Sequence, residues 1–335
     1  MTAPASSTAW SPVHPVDRLI LCIALPSLPQ FPAIGFPDHT LPPSPDACAA
    51  RKLGYAQGAV ARRVVLLVVA FLFTGLLAVG SAQWGWGVGE GNLPARFPPE
   101  SMPDRGFTFC KLMYDQVRYE ALGMGWSTDY PFAGINLMHR LEDLTSTEIS
   151  TDNRGEPNHW VVRLTDPELF NCPFVMAADV GTIGLSGEEA AGLRDYLLKG
   201  GFLWVDDFWG PRAWDHWVSE ISRVLPPAQY PIRDVPMDHP VFRALTHVEK
   251  VPQITSIQFW YRSGGRTTSE RGRDSDVAHF RAITDKNDRF LVVMTHNTDV
   301  ADAWERESDD PRFFEQFSPD GYGLGINVLL YSMSH

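Results

Sequence analysis

The chain is poor in cysteine, carries no surplus of positive charge and lacks the usual catalytic spacings, and each absence removes a class of function. Its four cysteines, Cys22, Cys48, Cys110 and Cys172, form no CxxC pair and no Cys/His set at zinc spacing. A small disulfide scaffold and a structural zinc module are therefore excluded. Lys and Arg number 28 against 40 Asp and Glu, a formal charge of −12. Nucleic-acid binding needs clustered cations that release phosphate counterions, and attraction to anionic lipid needs the same sign, so both are disfavoured. There is no HExxH and no phosphate-binding glycine loop. Gly321-Tyr-Gly-Leu-Gly325 has the glycines but neither the preceding strand nor the spacing.

What is present begins with an apolar fraction of 44% and an aromatic fraction of 12%, enough for one large or two modest cores. Residues 1–60, rich in Pro, Ala and Ser, show no sustained period and read as an unstructured extension. Segment 61–82 opens with Arg62-Arg63, runs without a charge through Val64–Val79 and closes on Gly80-Ser81-Ala82. A positive flank, an apolar run and small residues at the end make a secretion signal. The run falls slightly short of the ~20 residues that span a bilayer, so a retained membrane anchor is the alternative, and both readings stay open. Signals normally start a chain, which suggests that translation begins between about Arg51 and Val64. Either way the rest of the chain is expected outside the cytoplasm. Residues 83–105 read as a linker.

Residues 106–335 read as one α/β domain. Phe107–Tyr114 alternates like a strand, Thr128-Asp129-Tyr130-Pro131 looks like a capped helix start, and Phe132, Ile135, Met138, Leu141 and Leu144 share a helical face. Strands follow at Trp160–Leu164 and Pro173–Ala178. Ser186-Gly-Glu-Glu189 is a capping box opening a helix over Glu188–Lys199, and Gly200-Gly201 ends it. A strand over Phe202–Val205 and a helix over Pro211–Leu225 complete the pattern of a parallel sheet. Ile254–Tyr261, His279–Thr284 and Phe290–Thr295 are expected as strands, Arg262–Asp276 as a mobile loop and Gly325–Met333 as a helix. Two buried strand thiols are the simpler reading of Cys110 and Cys172; in an oxidising compartment a disulfide is the other.

Leu185-Ser-Gly-Glu-Glu189 followed by Leu193-Arg-Asp-Tyr-Leu-Leu-Lys-Gly-Gly-Phe-Leu-Trp-Val-Asp-Asp207 resembles the bacterial domain-of-unknown-function family 4159. Tyr114, Asp129-Tyr130-Pro131, Asp166-Pro167-Glu168-Leu169, Asp238-His239-Pro240-Val241-Phe242 and Gly325-Ile326-Asn327 extend the resemblance over about Phe107 to Ser334. It implies a flavodoxin-like fold similar to class I glutamine amidotransferases, with a parallel sheet covered by helices on both faces. It also implies an envelope setting beside AAA-type ATPases and von Willebrand A-type proteins, and leaves the chemistry open.

An amidotransferase of this fold needs a cysteine on the strand-to-helix turn. After Phe202–Val205 that turn reads Asp206-Asp207-Phe208-Trp209-Gly210, so glutaminase chemistry is not expected. Asp206 and Asp207 stand where open α/β sheets bind ligands, although adjacent strand residues face opposite ways. The simpler reading makes both of them caps for the following helix. His239, held extended before Pro240, is a crevice candidate or a local hydrogen-bonder. Asp179, His296 and Asp299 follow apolar strands and could reach the same edge, where carboxylates and imidazole suit a divalent ion. Trp204, Phe208, Trp209, Trp214 and Trp217 could line a groove, but the helical spacing of Trp214 and Trp217 favours core. Arg266, Arg271 and Arg273 could grip an anion, with a solvated loop as the simpler reading. The expected function is a non-catalytic binding or assembly module, membrane-attached through Val64–Val79, with envelope protein partners, no nucleic acid and no cofactor. The alternative is an exported hydrolase, metal-assisted, using Asp207 and His239 with Asp179.

Overall fold

The computed structural model describes residues 94–335; the expected extension 1–60 and the apolar segment 61–82 lie outside them. Among the described residues no helix is long and apolar enough to cross a membrane. The strands are β1 (Phe109–Leu112), β2 (Asp115–Gln116), β3 (His159–Val162), β4 (Phe174–Ala178), β5 (Ile183–Gly184), β6 (Phe202–Asp206), β7 (Arg233–Asp234), β8 (His279–Thr284) and β9 (Phe290–His296). The helices are α1 (Phe132–Leu144), α2 (Gly187–Leu198), α3 (Gly210–Val224), α4 (Ile257–Ser263), α5 (Asp302–Glu305) and α6 (Pro311–Ser334).

The main sheet runs β3-β1-β4-β6-β9-β8-β7. β3, β1, β4, β6 and β9 are parallel, whereas β8 and β7 pair antiparallel at one edge. That edge departs from the all-parallel expectation for a local reason. Only residues 285–289 join β8 to β9, too few for a crossover, so the two strands must form a hairpin. Chain order reverses between β1 and β4, because β3 lies outside β1 and the later strands lie beyond β4. A crevice at the carboxyl ends of β1 and β4 is the consequence.

Alternation sorts the strand residues into two cores. Phe109, Phe174, Met176, Phe202 and Trp204 face a layer containing α1, α5 and α6. Cys110, Val175, Leu203 and Val205 face α2 and α3, through Leu193, Leu197, Trp217 and Ile221. The capping box is formed: Ser186 Oγ accepts from Glu189 N while the Glu189 carboxylate accepts from Ser186 N. Beyond α2, Gly200 has φ 115°, a backbone angle that a side chain would strain. Arg96 docks on the edge strand: Val161 N donates to its carbonyl and its guanidinium lies 4.4 Å from the Trp160 ring centroid.

Several expectations are corrected. Cys110 and Cys172 form a disulfide, both fully buried beneath α2, so they are not two free thiols. Ile254–Tyr261 is not a strand. Ser256 Oγ accepts from Phe259 N and Gly264 closes the segment in the left-handed region, which selects helix α4 with Ile257 and Trp260 on its buried side. Arg262–Asp276 is tied down rather than mobile. The buried Glu270 carboxylate accepts from Thr255 Oγ1 and Ser256 N, and Arg271 donates to Ala121 O. The last helix begins at Pro311, capped by Asp310, and its glycines serve packing: a Cβ on Gly325 would stand 2.5 Å from Trp304, and one on Gly321 2.5 Å from the Ala303 methyl. Thr128 does not cap α1; its hydroxyl accepts from Met124 N and closes the preceding turn.

Candidate functional site

Four strand-end residues meet at the carboxyl edge. Asp179 follows β4, Asp206 ends β6, Asp207 follows it, and His296 ends β9. Asp129, Asp179, Asp207 and Asn297 all have positive φ, at 64°, 53°, 52° and 61°. Asp and Asn tolerate this region because their short polar chains bond locally, and such angles gather where a site is held against its preference. The backbone stitches the ends together, since Asp179 N donates to the carbonyls of both Asp206 and Asp207.

Asp206 is a brace. Its Oδ1 accepts from Thr295 Oγ1 on β9 and its Oδ2 from Ala301 N at 3.0 Å, leading into α5. Burial raises its carboxyl to about 7. Asp207 turns the other way, and its Oδ1 accepts from Trp209 Nε1 at 2.8 Å. Burial first, then repulsion from Asp129, Glu270 and Asp179, push it well above the carboxylate range. Neither carboxylate caps α3, contrary to expectation. The Gly210 N–H there is taken by Asn297 Oδ1, so the cap comes from the residue after β9 and leaves both aspartates to other partners.

Asp179 sits at the chain reversal itself. Its Oδ2 accepts from Gly125 N at 2.8 Å, and Tyr114 OH bonds the carbonyls of Ala178 and Asp179. Burial, reinforced by Glu120 and Asp129, raises it to about 7, within the range where an acid can both give and take a proton. Gly123 is required here, because a Cβ would collide with the Asp179 carboxyl. Glu120 is also raised by burial, with Arg118 and Arg271 pulling it back.

His296 is present at the edge but occupied. Its Nε2 lies 3.1 Å from Gly210 O, its ring lies against Phe208 and Trp214, and burial lowers it to about 4, keeping it neutral. His239 is elsewhere. Its Nδ1 accepts from Val241 N and its ring stacks on Phe290, the first residue of β9, at the amino end of a strand parallel to β6. Asp207 and His239 therefore lie at opposite ends of the sheet and cannot act as a pair. The tryptophans are interior as well: Trp204, Trp209 and Trp217 are buried and Trp214 is half-buried beneath Arg281.

A second group of acids was not singled out from the sequence. A carboxylate oxygen from each of Asp129, Asp302 and Glu305 lies within 4.8 Å of the others, and all three side chains are buried. Asp129 precedes α1, while Asp302 and Glu305 are one turn apart on α5. Lys111 reaches them from β1, its Nζ 4.0 Å from Asp129 Oδ2, and Arg306 Nε stands 3.2 Å from Glu305 and 3.5 Å from Asp302. Asp302 Oδ2 accepts from Ile257 N, and Asp302 N donates to Asp299 Oδ1. Burial and mutual repulsion raise Asp299 and Asp302 well above the usual range and Glu305 to about 10.

The part of the edge open to solvent is a cavity of about 260 Å³ bordered by Arg118, Tyr119, Glu120, Trp209, Arg212 and Arg271. Tyr119 stands 76% exposed on its rim. A larger cavity of about 690 Å³, between residues 249–254 and α6, contains none of the edge carboxylates.

A mixed α/β domain with a mostly parallel sheet, a buried disulfide and a carboxylate-rich edge is thus the class of protein defined here. The family model of DUF4159, a domain of unknown function, matches residues 109–333, and the chain belongs to that family. Among curated proteins none matches the chain.

Proposed function

We propose that this is an exported, non-catalytic binding domain of the cell envelope, built on a flavodoxin-like, amidotransferase-like scaffold, with the carboxyl-edge crevice as its docking face. Taken in chain order, the parallel strands lie 2-1-3-4-5, the order of flavodoxin-like sheets, which supports the scaffold. The observation that carries the reading is the turn after β6. Where such a scaffold would present a nucleophile, Asp207 is bonded to Trp209 and sealed, and Cys110 and Cys172 are bonded to each other. A buried disulfide also suits an oxidising compartment beyond the cytoplasmic membrane. The rim, with exposed Tyr119 beside Arg118, Arg212 and Arg271, has the aromatic and arginine make-up that anchors partners. Envelope proteins of the AAA-type or von Willebrand A-type systems remain the proposed partners, and Val64–Val79 the proposed membrane attachment.

A second reading, hydrolysis, is favoured by Asp179, which titrates near 7 close to Glu120. It would use Asp179, Glu120 and Asp207 rather than His239. One experiment separates the two. The full-length chain is assayed against glutamine, muropeptides, esters and glycosides with added Mg²⁺, Mn²⁺ or Zn²⁺, and in parallel carries a photo-crosslinking residue at position 119 or at the exposed Leu198 on α2. The binding reading expects no turnover, and a defined envelope protein joined at position 119 only. Turnover abolished by Asp207→Asn or Asp179→Asn would overturn it.

A further inference from the structure

We propose that Asp129, Asp302 and Glu305 hold a hard divalent cation of the calcium, magnesium or manganese class, which clamps the turn before α1 to helix α5. This inference is independent of the binding role. It starts from geometry: one oxygen from each side chain lies within 4.8 Å of the others, on segments some 170 residues apart in the chain. Ligands on opposite sides of a calcium ion stand about 4.6–5.2 Å apart, twice the usual 2.3–2.6 Å bond, and neighbouring ligands stand closer, so three oxygens within 4.8 Å of one another can share a single ion.

The independent sign of a ligand is the state of the oxygens. Asp129 Oδ2 and both Glu305 carboxylate oxygens are sealed from solvent and receive no hydrogen bond, in residues only 3% and 6% exposed; Glu305 Oε2 is ion-paired with Arg306 Nε at 3.2 Å, which leaves Asp129 Oδ2 and Glu305 Oε1 to be met. Buried polar atoms are nearly always partnered, and a bare carboxylate oxygen in the interior is costly. Lys111 does not meet the need: at 4.0 Å from Asp129 Oδ2 it stands beyond hydrogen-bond reach. Three carboxylates face two neighbouring cations, Lys111 and Arg306, so the group retains a net negative charge when ionised. Oxygen-only ligands select calcium, magnesium or manganese over zinc or copper.

Such an ion would reinforce contacts that already join the two helices. Asn136 Nδ2 on α1 donates to Trp304 O at 2.7 Å, and Arg140 pairs with Glu307 at 3.1 Å. A sealed ion at this depth has no path to a substrate and acts on the fold, holding the loop that carries Glu120 and Gly125 against the carboxyl edge.

The test uses the full-length chain, stripped with chelator and then titrated with CaCl₂, MgCl₂ or MnCl₂, with metal content by elemental analysis and stability by thermal melting. Terbium serves as a luminescent calcium substitute, excited through nearby tryptophan. We expect one ion per chain, a Tm rise of about 5–10 °C at a hundredfold excess over Kd, and terbium emission displaced by calcium. Glu305→Gln and Asp129→Asn should lose the emission and the Tm response together. Identical melting of stripped and cation-loaded wild-type protein, with no ion bound, would overturn the proposal whether or not the variants fold. So would variants that are more stable than wild type in saturating calcium, because the carboxyls would then be held as neutral acids.

Discussion

The two ends of the sheet are built on opposite principles. At the amino end several polar groups tie chain to chain. Tyr196 OH bonds Cys172 O and Phe202 O, and Arg289 reaches Leu197 O, Gly200 O and Gly201 O. His239 caps its own short turn. At the carboxyl end the chain sets carboxylates against one another, bends four of its residues into positive φ and leaves buried carboxylate oxygens without a hydrogen bond. One end spends its polar groups on cohesion, the other retains unfavourable charge. Strain and repulsion persist only where the surrounding structure overdetermines them, and such places tend to be functional.

The comparison breaks first if the amino half is not the stabilising one. The Cys110–Cys172 bond closes a separation of 62 residues in the core beneath α2. Chain-entropy arguments give a loop of that size about 4 kcal/mol. Cys110→Ser with Cys172→Ser, or reduction under denaturant, should lower stability by about that amount in a chemical denaturation series. A change below about 1 kcal/mol would mean that packing alone secures the amino half.

Next in size is the pH dependence carried by Asp179. Its folded carboxyl is raised from 3.8 to about 7, so its contribution is fully present below about pH 4, is lost as pH rises towards 7, and is flat above. The difference in stability between wild type and Asp179→Asn should therefore move by about 3 kcal/mol against wild type between pH 4 and pH 7.5. Chevron or melting data at five pH values would show it. A difference that moves in favour of wild type as pH rises would place a compensating cation beside Asp179.

At the amino end, Arg289→Met should cost about 2 kcal/mol, because it removes three hydrogen bonds to carbonyls at the end of α2. Hydrogen exchange should then quicken at Gly201 and Phe202 before it quickens anywhere on α3. Uniform quickening would deny the local knot.

These contrasts explain what could be read from the sequence. The segment 173–225 was legible because its signals are local: a capping box at Ser186, Gly200-Gly201 past the helix end, and an apolar run ending in Asp206-Asp207. Ile254–Tyr261 was misread because a short apolar run has no decisive period, and the cap at Ser256 decides it. The antiparallel hairpin of β8 and β9 was not read from the sequence, although residues 285–289 are too few for a crossover, and its placement beside β6 depends on contacts distant in the chain. Asp179, Asp206, Asp207 and His296 could be placed at the edge from the ends of their strands. His239 could not be excluded, because nothing near it reveals which end of the sheet it serves. Asp129, Asp302 and Glu305 meet only in three dimensions. The one sequence sign was the three-residue spacing of Asp302 and Glu305, and it says nothing about Asp129.

The effect at Asp207 discriminates most finely. Asp207→Asn keeps the acceptor that Trp209 Nε1 uses, since an amide oxygen can take the place of Oδ1, and it removes the group that Asp129, Glu270 and Asp179 repel. Because the folded carboxyl is raised, wild type at pH 7 must hold a proton that the unfolded chain has released, and the asparagine variant need not. A pH-dependent gain of the same order as the Asp179 shift is expected at pH 7, falling away below about pH 4, where the unfolded chain takes up the proton as well. Stabilisation by loss of a polar charge is the mark of a residue kept for something other than stability. A loss of more than 1 kcal/mol at pH 7 would reverse the argument: Asp207 would then be ionised and paired, and the carboxyl edge would be held together by its charges.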